Sequence, residues 1–418
     1  MLFLLISISA KSQQEKGSLL LENVIIHSSD GVIENGVIGI YGDSIVLAGD
    51  ARVIKYDKSK FSKIENVLGA HAWPGFFALN STIGLTEIDA VRATLDYAEV
   101  GSMKPHVRSL TAFNTDSKII PTVRSNGVIF AQSCPQGGVI SGSSSVFRMY
   151  GWNWEDAVFK ADDGMHINWP SLPYVLDKSD TSKKSEKSKE FLNELNALFR
   201  DAVGYSKEKG RTKKNLLLES LQPILKGEAV LFLHANKSRD IQDAIIFAQN
   251  YSIKRAVIVG CDECESQLAL LKEKNIPVIL SRVHRLPDLP DMPPEKVFSL
   301  PSKLQREGIL VALCYEGGME AMGNRNLPFT AGTAASYGLS DTEALNMISL
   351  NSAKILGLDD ELGSIEAGKK ASFFLSDGNA LDMRSGGAKR IWMDGIEVSV
   401  DNSQKQLYLK YMNKYGLE

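Results

Sequence analysis

Histidine is scarce here, and its pairs are missing. The six histidines are His27, His71, His106, His166, His234 and His284, and no two stand at His-x-His or His-x-x-x-His spacing. That excludes the local motifs in which one strand or helix offers two imidazoles to a metal. Cysteine is equally sparse. Cys134, Cys261, Cys264 and Cys314 are too few to staple 418 residues into a disulfide framework, and Cys261-x-x-Cys264 is the nearest candidate bridge. No apolar run is long enough to span a bilayer. A net charge of −3 gives no electrostatic reason to expect nucleic acid. No internal repeat recurs at a fixed period.

What is present is ordinary for a globular chain: 44% hydrophobic and 23% charged residues. The length supports a large core and suits one (β/α)₈ barrel with a satellite domain. Residues 1–12 carry a short apolar run ending in Ala10-Lys11-Ser12, without a basic segment before it. They read as a shortened secretory signal, so the expected location is exported, periplasmic or secreted.

Residues 18–70 read as a small β unit. Leu19–Ile26, Gly31–Ile33, Gly36–Tyr41 and Ile45–Ala48 are short β-branched runs punctuated by Gly, Asp and Asn. A matching fragment, 363–400, holds Ala371–Leu375 and a hairpin turning at Asp394-Gly395. The two fragments flank everything else, and the simplest arrangement pairs them into a composite β-sandwich. Between them, residues 71–362 alternate strand and helix. Ala229–His234, Arg255–Gly260, Pro277–Leu280 and Gly308–Leu313 read as buried strands. Asp240–Tyr251, Glu265–Asn275 and Thr342–Gly357 read as helices. Such alternation indicates α/β architecture with a parallel sheet, either a barrel or doubly wound. Residues 85–175 break the pattern and read as a long loop insertion over one end of the core. Residues 178–189 read as a flexible linker before a helix at Phe191–Tyr205, and 401–418 as a C-terminal helix or tail whose Leu407–Met412 stretch suits either a dimer contact or packing on its own barrel.

Four stretches carry a resemblance. They are Trp73-Pro74-Gly75-Phe76, His234-Ala235-Asn236-Lys237 with Asp240-Ile241, Asn326-Leu327-Pro328-Phe329 through Tyr337-Gly338-Leu339, and Gly363-Ser364-Ile365-Glu366. In this order and spacing the chain resembles the amidohydrolase superfamily, in its imidazolonepropionase-like branch, over most of its length. The resemblance implies a TIM-like (β/α)₈ barrel plus the small β-sandwich built from both chain ends, with the site at the C-terminal ends of the strands. It implies hydrolysis of carbon–nitrogen bonds in cyclic amide-like substrates, assisted by divalent metal. Two histidines on strand one, one each on strands five and six, and an aspartate after strand eight would hold that metal. Those positions fall on Asn80, Thr82, His234, Gly260 and Glu316. Only His234 is retained, and Glu316 is a longer carboxylate than the pattern asks for. Three or four protein ligands are normally needed. The expectation is therefore a degenerate metal site with no cofactor; zinc enters only if this ligand assignment is wrong.

His234 and Glu316 are the candidate catalytic residues. His234 reads equally as an acid–base or as an inherited hydrogen-bonded residue. Glu316 reads as a base, as a solvated carboxylate, or as a partner for Arg282, Arg285 or Arg325. Cys261–Cys264 reads as a disulfide, two thiols or a redox pair. Gly137–Ser145 reads as an active-site lid, or more weakly as an anion cradle. Trp152, Trp154 and Trp169, clustered with Asn153, Asp162, Asp163 and Asn168, form either a sugar or peptide platform or loop packing over the barrel mouth. Arg92, Arg108 and Arg124 read either as binding a ligand carboxylate or, by default, as pairing with Asp89, Glu99 and Asp116. The expected partner is a small-molecule or peptide-like ligand at the barrel mouth. A homo-oligomer, or a pairing with a related active amidohydrolase, stays open, as does a catalytically silent binding subunit.

Overall fold

The two ends of the chain meet in one sheet. A computed structural model describes residues 18–171, 181–208, 213–286 and 292–417, so the signal expected over 1–12 lies outside the described residues. Strands β1 (Ser18–Ser28), β2 (Gly31–Tyr41), β3 (Ser44–Asp50), β4 (Lys63–Asn66) and β5 (His71–Pro74) come from the N-terminal part. After them the chain enters a second sheet of eight strands. These are β6 (Phe76–Ser81), β7 (Val128–Ser133), β8 (Ile140–Arg148), β9 (Val158–Asn168), β10 (Val230–Ala235), β11 (Ala256–Gly260), β12 (Val278–Leu280) and β13 (Val311–Leu313). It returns with β14 (Phe373–Ser376), β15 (Ala388–Met393) and β16 (Ile396–Val398).

The first sheet runs β16-β15-β14-β5-β1-β2-β3, with β4 on β1. β5 joins the halves, pairing with β1 on one side and β14 on the other. This sheet has its own core, in which Leu21, Val24, Ile38, Phe373 and Trp392 are buried together. Gly75 is the step between the two sheets. A Cβ there would come within 2.4 Å of the Ile129 side chain, which would have to shift, so glycine suits the close approach where the chain turns from β5 into β6.

The second sheet runs in chain order from β6 to β13. A parallel bridge from Leu79 to Cys314 brings its first and last edges together, which makes it a TIM-like barrel. The strands β10, β11, β12 and β13 are short apolar runs between helices, as buried parallel strands are. The helix Ser238–Asn250 packs on β10 and β11 and buries Ile241, Ala244, Ile245 and Ala248.

The segment 85–175 differs from its reading as loops: it supplies three of the eight barrel strands. Its Gly/Ser stretch is largely β8 rather than a lid. β8 runs antiparallel to both neighbours, whereas the other barrel pairs are parallel. A Gly/Ser-rich strand of this kind lacks the apolar alternation by which strands are recognised. Residues 181–189, read as linker, belong to a longer helix, Thr181–Lys207, and 172–180 lie outside the described residues. The helix expected over Thr342–Gly357 is two helices, Asp341–Ile348 and Leu350–Leu356, broken at Ser349.

Candidate functional site

Asn80, near the end of β6, Asn168, ending β9, His234, near the end of β10, and Glu316, just beyond β13, line one cavity of about 420 Å³. Gln136 and Glu320 complete its polar wall. This is the C-terminal mouth of the barrel, where strand ends and their loops place functional groups. The structure thus brings together three of the five ligand-equivalent positions.

The remaining two are occupied otherwise. Thr82 is buried, and both its hydroxyl and its backbone N–H donate to Glu320 Oε2, at 2.8 and 2.9 Å. Gly260 ends β11 with φ +99°, and a Cβ there would lie 2.0 Å from Asn236 Oδ1. The Asn236 amide fills the space a strand-six histidine would need.

His234 is partly open to the cavity. Its Nε2 lies 2.9 Å from His166 Nδ1, so that nitrogen is already engaged. Burial lowers the His234 pKa and the nearby Glu316 carboxylate opposes this, leaving a neutral imidazole near neutral pH. Glu316 accepts a hydrogen bond from the Ser281 hydroxyl at 2.8 Å, rather than pairing with the arginines considered for it. Arg285 instead reaches Asp262.

A divalent metal does not fit these residues. Thr82 is committed to Glu320, Gly260 carries no donor, and one nitrogen of His234 is bonded to a second histidine. Among the described residues, no group of three or more His, Cys, Asp or Glu side chains is placed to hold a metal ion.

Glu320 and the pairing of His166 with His234 escaped the sequence, and Asp163 was read there only beside the tryptophans. Glu320 is buried at the cavity wall and accepts from Thr82 and, at 2.6 Å, from Asn324 Nδ2; burial pushes its carboxyl pKa up. Asp163 is fully buried, accepts from Gln132 Nε2 at 2.6 Å, and has a pKa pushed up to about 6 by burial. His166 is buried too, stacked on Phe232 with ring centroids 4.6 Å apart. The only signals for these residues were single polar letters inside apolar or Gly/Ser-rich runs.

Other candidates do not enter the cavity. Cys261 and Cys264 form a buried disulfide just past β11, and Cys134 and Cys314 are free and buried. The tryptophans do not form a platform: Trp152 is 89% exposed, while Trp169 packs on Phe247. Arg108 pairs with Asp162, not with the carboxylates named for it. Arg124 is buried and donates to the Met149 and Ser399 carbonyls, which suits its place inside the fold better than a surface ion pair would.

Residues 212–403 match the sequence pattern of the amidohydrolase family. Among curated protein sequences, none matches. Among solved structures, an amidohydrolase from Thermotoga maritima MSB8 superposes with TM-score 0.79 at 23% identity, covering 91% of this chain and 99% of that one. A prolidase complexed with N-methylphosphonate-L-proline gives TM-score 0.55 at 15% identity, covering 91% and 99%. An adenosine deaminase from Xanthomonas campestris with bound zinc gives 0.55 at 14%, covering 94% and 96%. These likenesses establish the amidohydrolase-type fold.

Proposed function

We propose that this protein hydrolyses a carbon–nitrogen bond of a cyclic amide-like small molecule at the barrel mouth, without a tightly held divalent ion. The observation that carries this reading is the meeting of a neutral His234 and Glu316 on one polar cavity of about 420 Å³, a volume suited to a small ligand. In this reading His234 takes a proton from water as the oxygen bonds to the amide carbon. It then returns that proton to the departing nitrogen as the C–N bond breaks, giving a carboxylic acid and an amine. Glu316 stabilises the imidazolium formed in between. Export belongs to the same proposal, and the Cys261–Cys264 bridge suits an oxidising compartment.

The test is turnover of a panel of cyclic amides by the purified chain, with and without a strong chelator. Hydrolysis that survives chelation and disappears in His234→Ala supports the reading. Hydrolysis lost on chelation and restored by zinc overturns it. A second reading, a binding or partner subunit that keeps the cleft, is favoured by the occupation of the Thr82 and Gly260 positions. Panel members that bind without being turned over would select it.

A further inference from the structure

A continuous chain of buried polar groups crosses five adjacent barrel strands beneath the cavity. The Asn80 backbone N–H, on β6, donates to Gln132 Oε1 at 3.1 Å. Gln132, on β7, donates through Nε2 to Asp163 Oδ2 at 2.6 Å and to Ser144 Oγ at 3.4 Å. Ser144, on β8, lies 2.9 Å from His166 Nε2, and His166, on β9, lies 2.9 Å from His234 Nε2 on β10. Gln132, Ser144 and Asp163 are fully buried and His166 is 1% exposed. Barrel interiors are ordinarily filled with branched apolar side chains. Buried polar groups must be satisfied, so this chain is a costly arrangement unless each proton has one place to go.

The proton positions follow from counting donors. The single Ser144 hydroxyl proton faces two oxygens that accept, the Gly164 carbonyl at 3.2 Å and the Asp163 carboxylate. With that proton given to either of them, Ser144 Oγ accepts from His166, and His166 carries its proton on Nε2. Full burial holds His166 neutral, because nothing beside it offsets the cost of an imidazolium there. Its Nδ1 is then bare and accepts from His234 Nε2–H. A neutral His234 with its proton on Nε2 presents a bare Nδ1. Among the described residues, that nitrogen makes no hydrogen bond.

We propose that His166, backed by Ser144, is a positioning residue that fixes His234 in one tautomer, with Nδ1 bare as the base of the cavity. The inference deepens the hydrolase reading, since a bare Nδ1 is what accepts a proton from water. His166 itself touches no reacting atom; it acts through His234. Gln132 and Asp163 hold Ser144 in place.

The test is nitrogen NMR of the full chain labelled with ¹⁵N-histidine, with His234 assigned by the resonances lost in His234→Gln. The expected spectrum has a downfield, slowly exchanging proton on His234 Nε2, with nitrogen–nitrogen coupling across the hydrogen bond to His166 Nδ1. That proton should vanish in His166→Phe, whose ring can keep the stack on Phe232. It should exchange faster in Ser144→Ala. If His166→Phe fails to fold, the wild-type spectrum and Ser144→Ala still decide. A proton found on His166 Nδ1, or the absence of the coupling in wild type, overturns the proposal. If an amide is turned over, His166→Phe should lower kcat at least tenfold with little change in KM. The NMR signature without any turnover would sink the hydrolase reading and leave the positioning intact. Turnover without the signature would do the reverse.

Discussion

Gly260 illustrates how one residue limits what a strand end can carry. Its φ of +99° and the Asn236 amide above it leave no room for a side chain. Gly260→Ala should therefore lower stability by about 1–3 kcal/mol from backbone strain alone, read as a lower urea midpoint. An alanine variant as stable as the parent would show that the strand-six position is open after all. Asp163 makes a second prediction at this scale. Its folded pKa of about 6 stands above the ordinary carboxylate value, so the folded state binds its proton more tightly than the unfolded state. Asp163 therefore favours folding below about pH 4 relative to higher pH, and this contribution is lost as pH rises through 6. Over that window the stability of Asp163→Asn relative to wild type should rise by an amount on the order of 3 kcal/mol. Paired urea titrations at pH 4 and pH 7 check this; a constant difference would mean that Asp163 is not buried as described.

The elements differ in how legibly the sequence announced them. β10 and β11 were readable because Val, Leu, Ile and Phe run uninterrupted between amphipathic helices, and that pattern has few alternatives. β8 and β9 were not. Ser141, Gly142, Ser143, Ser144 and Ser145 look like a loop when no neighbour is known. Their small polar side chains make sense only once Gln132, Asp163 and His166 are seen across the strands. β9 is further disguised by a bulge: Ser144 pairs with Gly164 while Val146 pairs with Lys160, and Asp162 lies between with φ +49°. Bulges of this kind re-aim side chains near sites. Among the candidate site residues, His234 was legible because it stands near the end of an apolar strand. Its partner His166 was not, because a lone histidine carries no spacing signal. The Cys261–Cys264 pair, left open by sequence, is a bridge at the end of β11. The unfolded, unreduced chain should therefore show two titratable thiols, Cys134 and Cys314, and four after reduction. Four thiols without reductant would remove the bridge.

At the scale of the whole molecule, the barrel and the sheet built from both chain ends share the fold of a solved amidohydrolase, and the barrel mouth carries a cavity in the position where the resemblance places its chemistry. The fold was legible because it rests on distributed apolar pattern and on turn residues such as Pro74-Gly75. The mouth was only partly legible, because polar letters at strand ends do not say which neighbours they meet. Glu320 on Thr82, Asn236 over Gly260 and His166 on His234 are contacts that only the fold shows. The central proposal is that this barrel mouth holds no tight divalent ion, and metal content measures it most directly. Protein purified without chelator, supplied with zinc and then dialysed should retain far less than one equivalent per chain. One or two zinc ions per chain surviving dialysis would contradict the account.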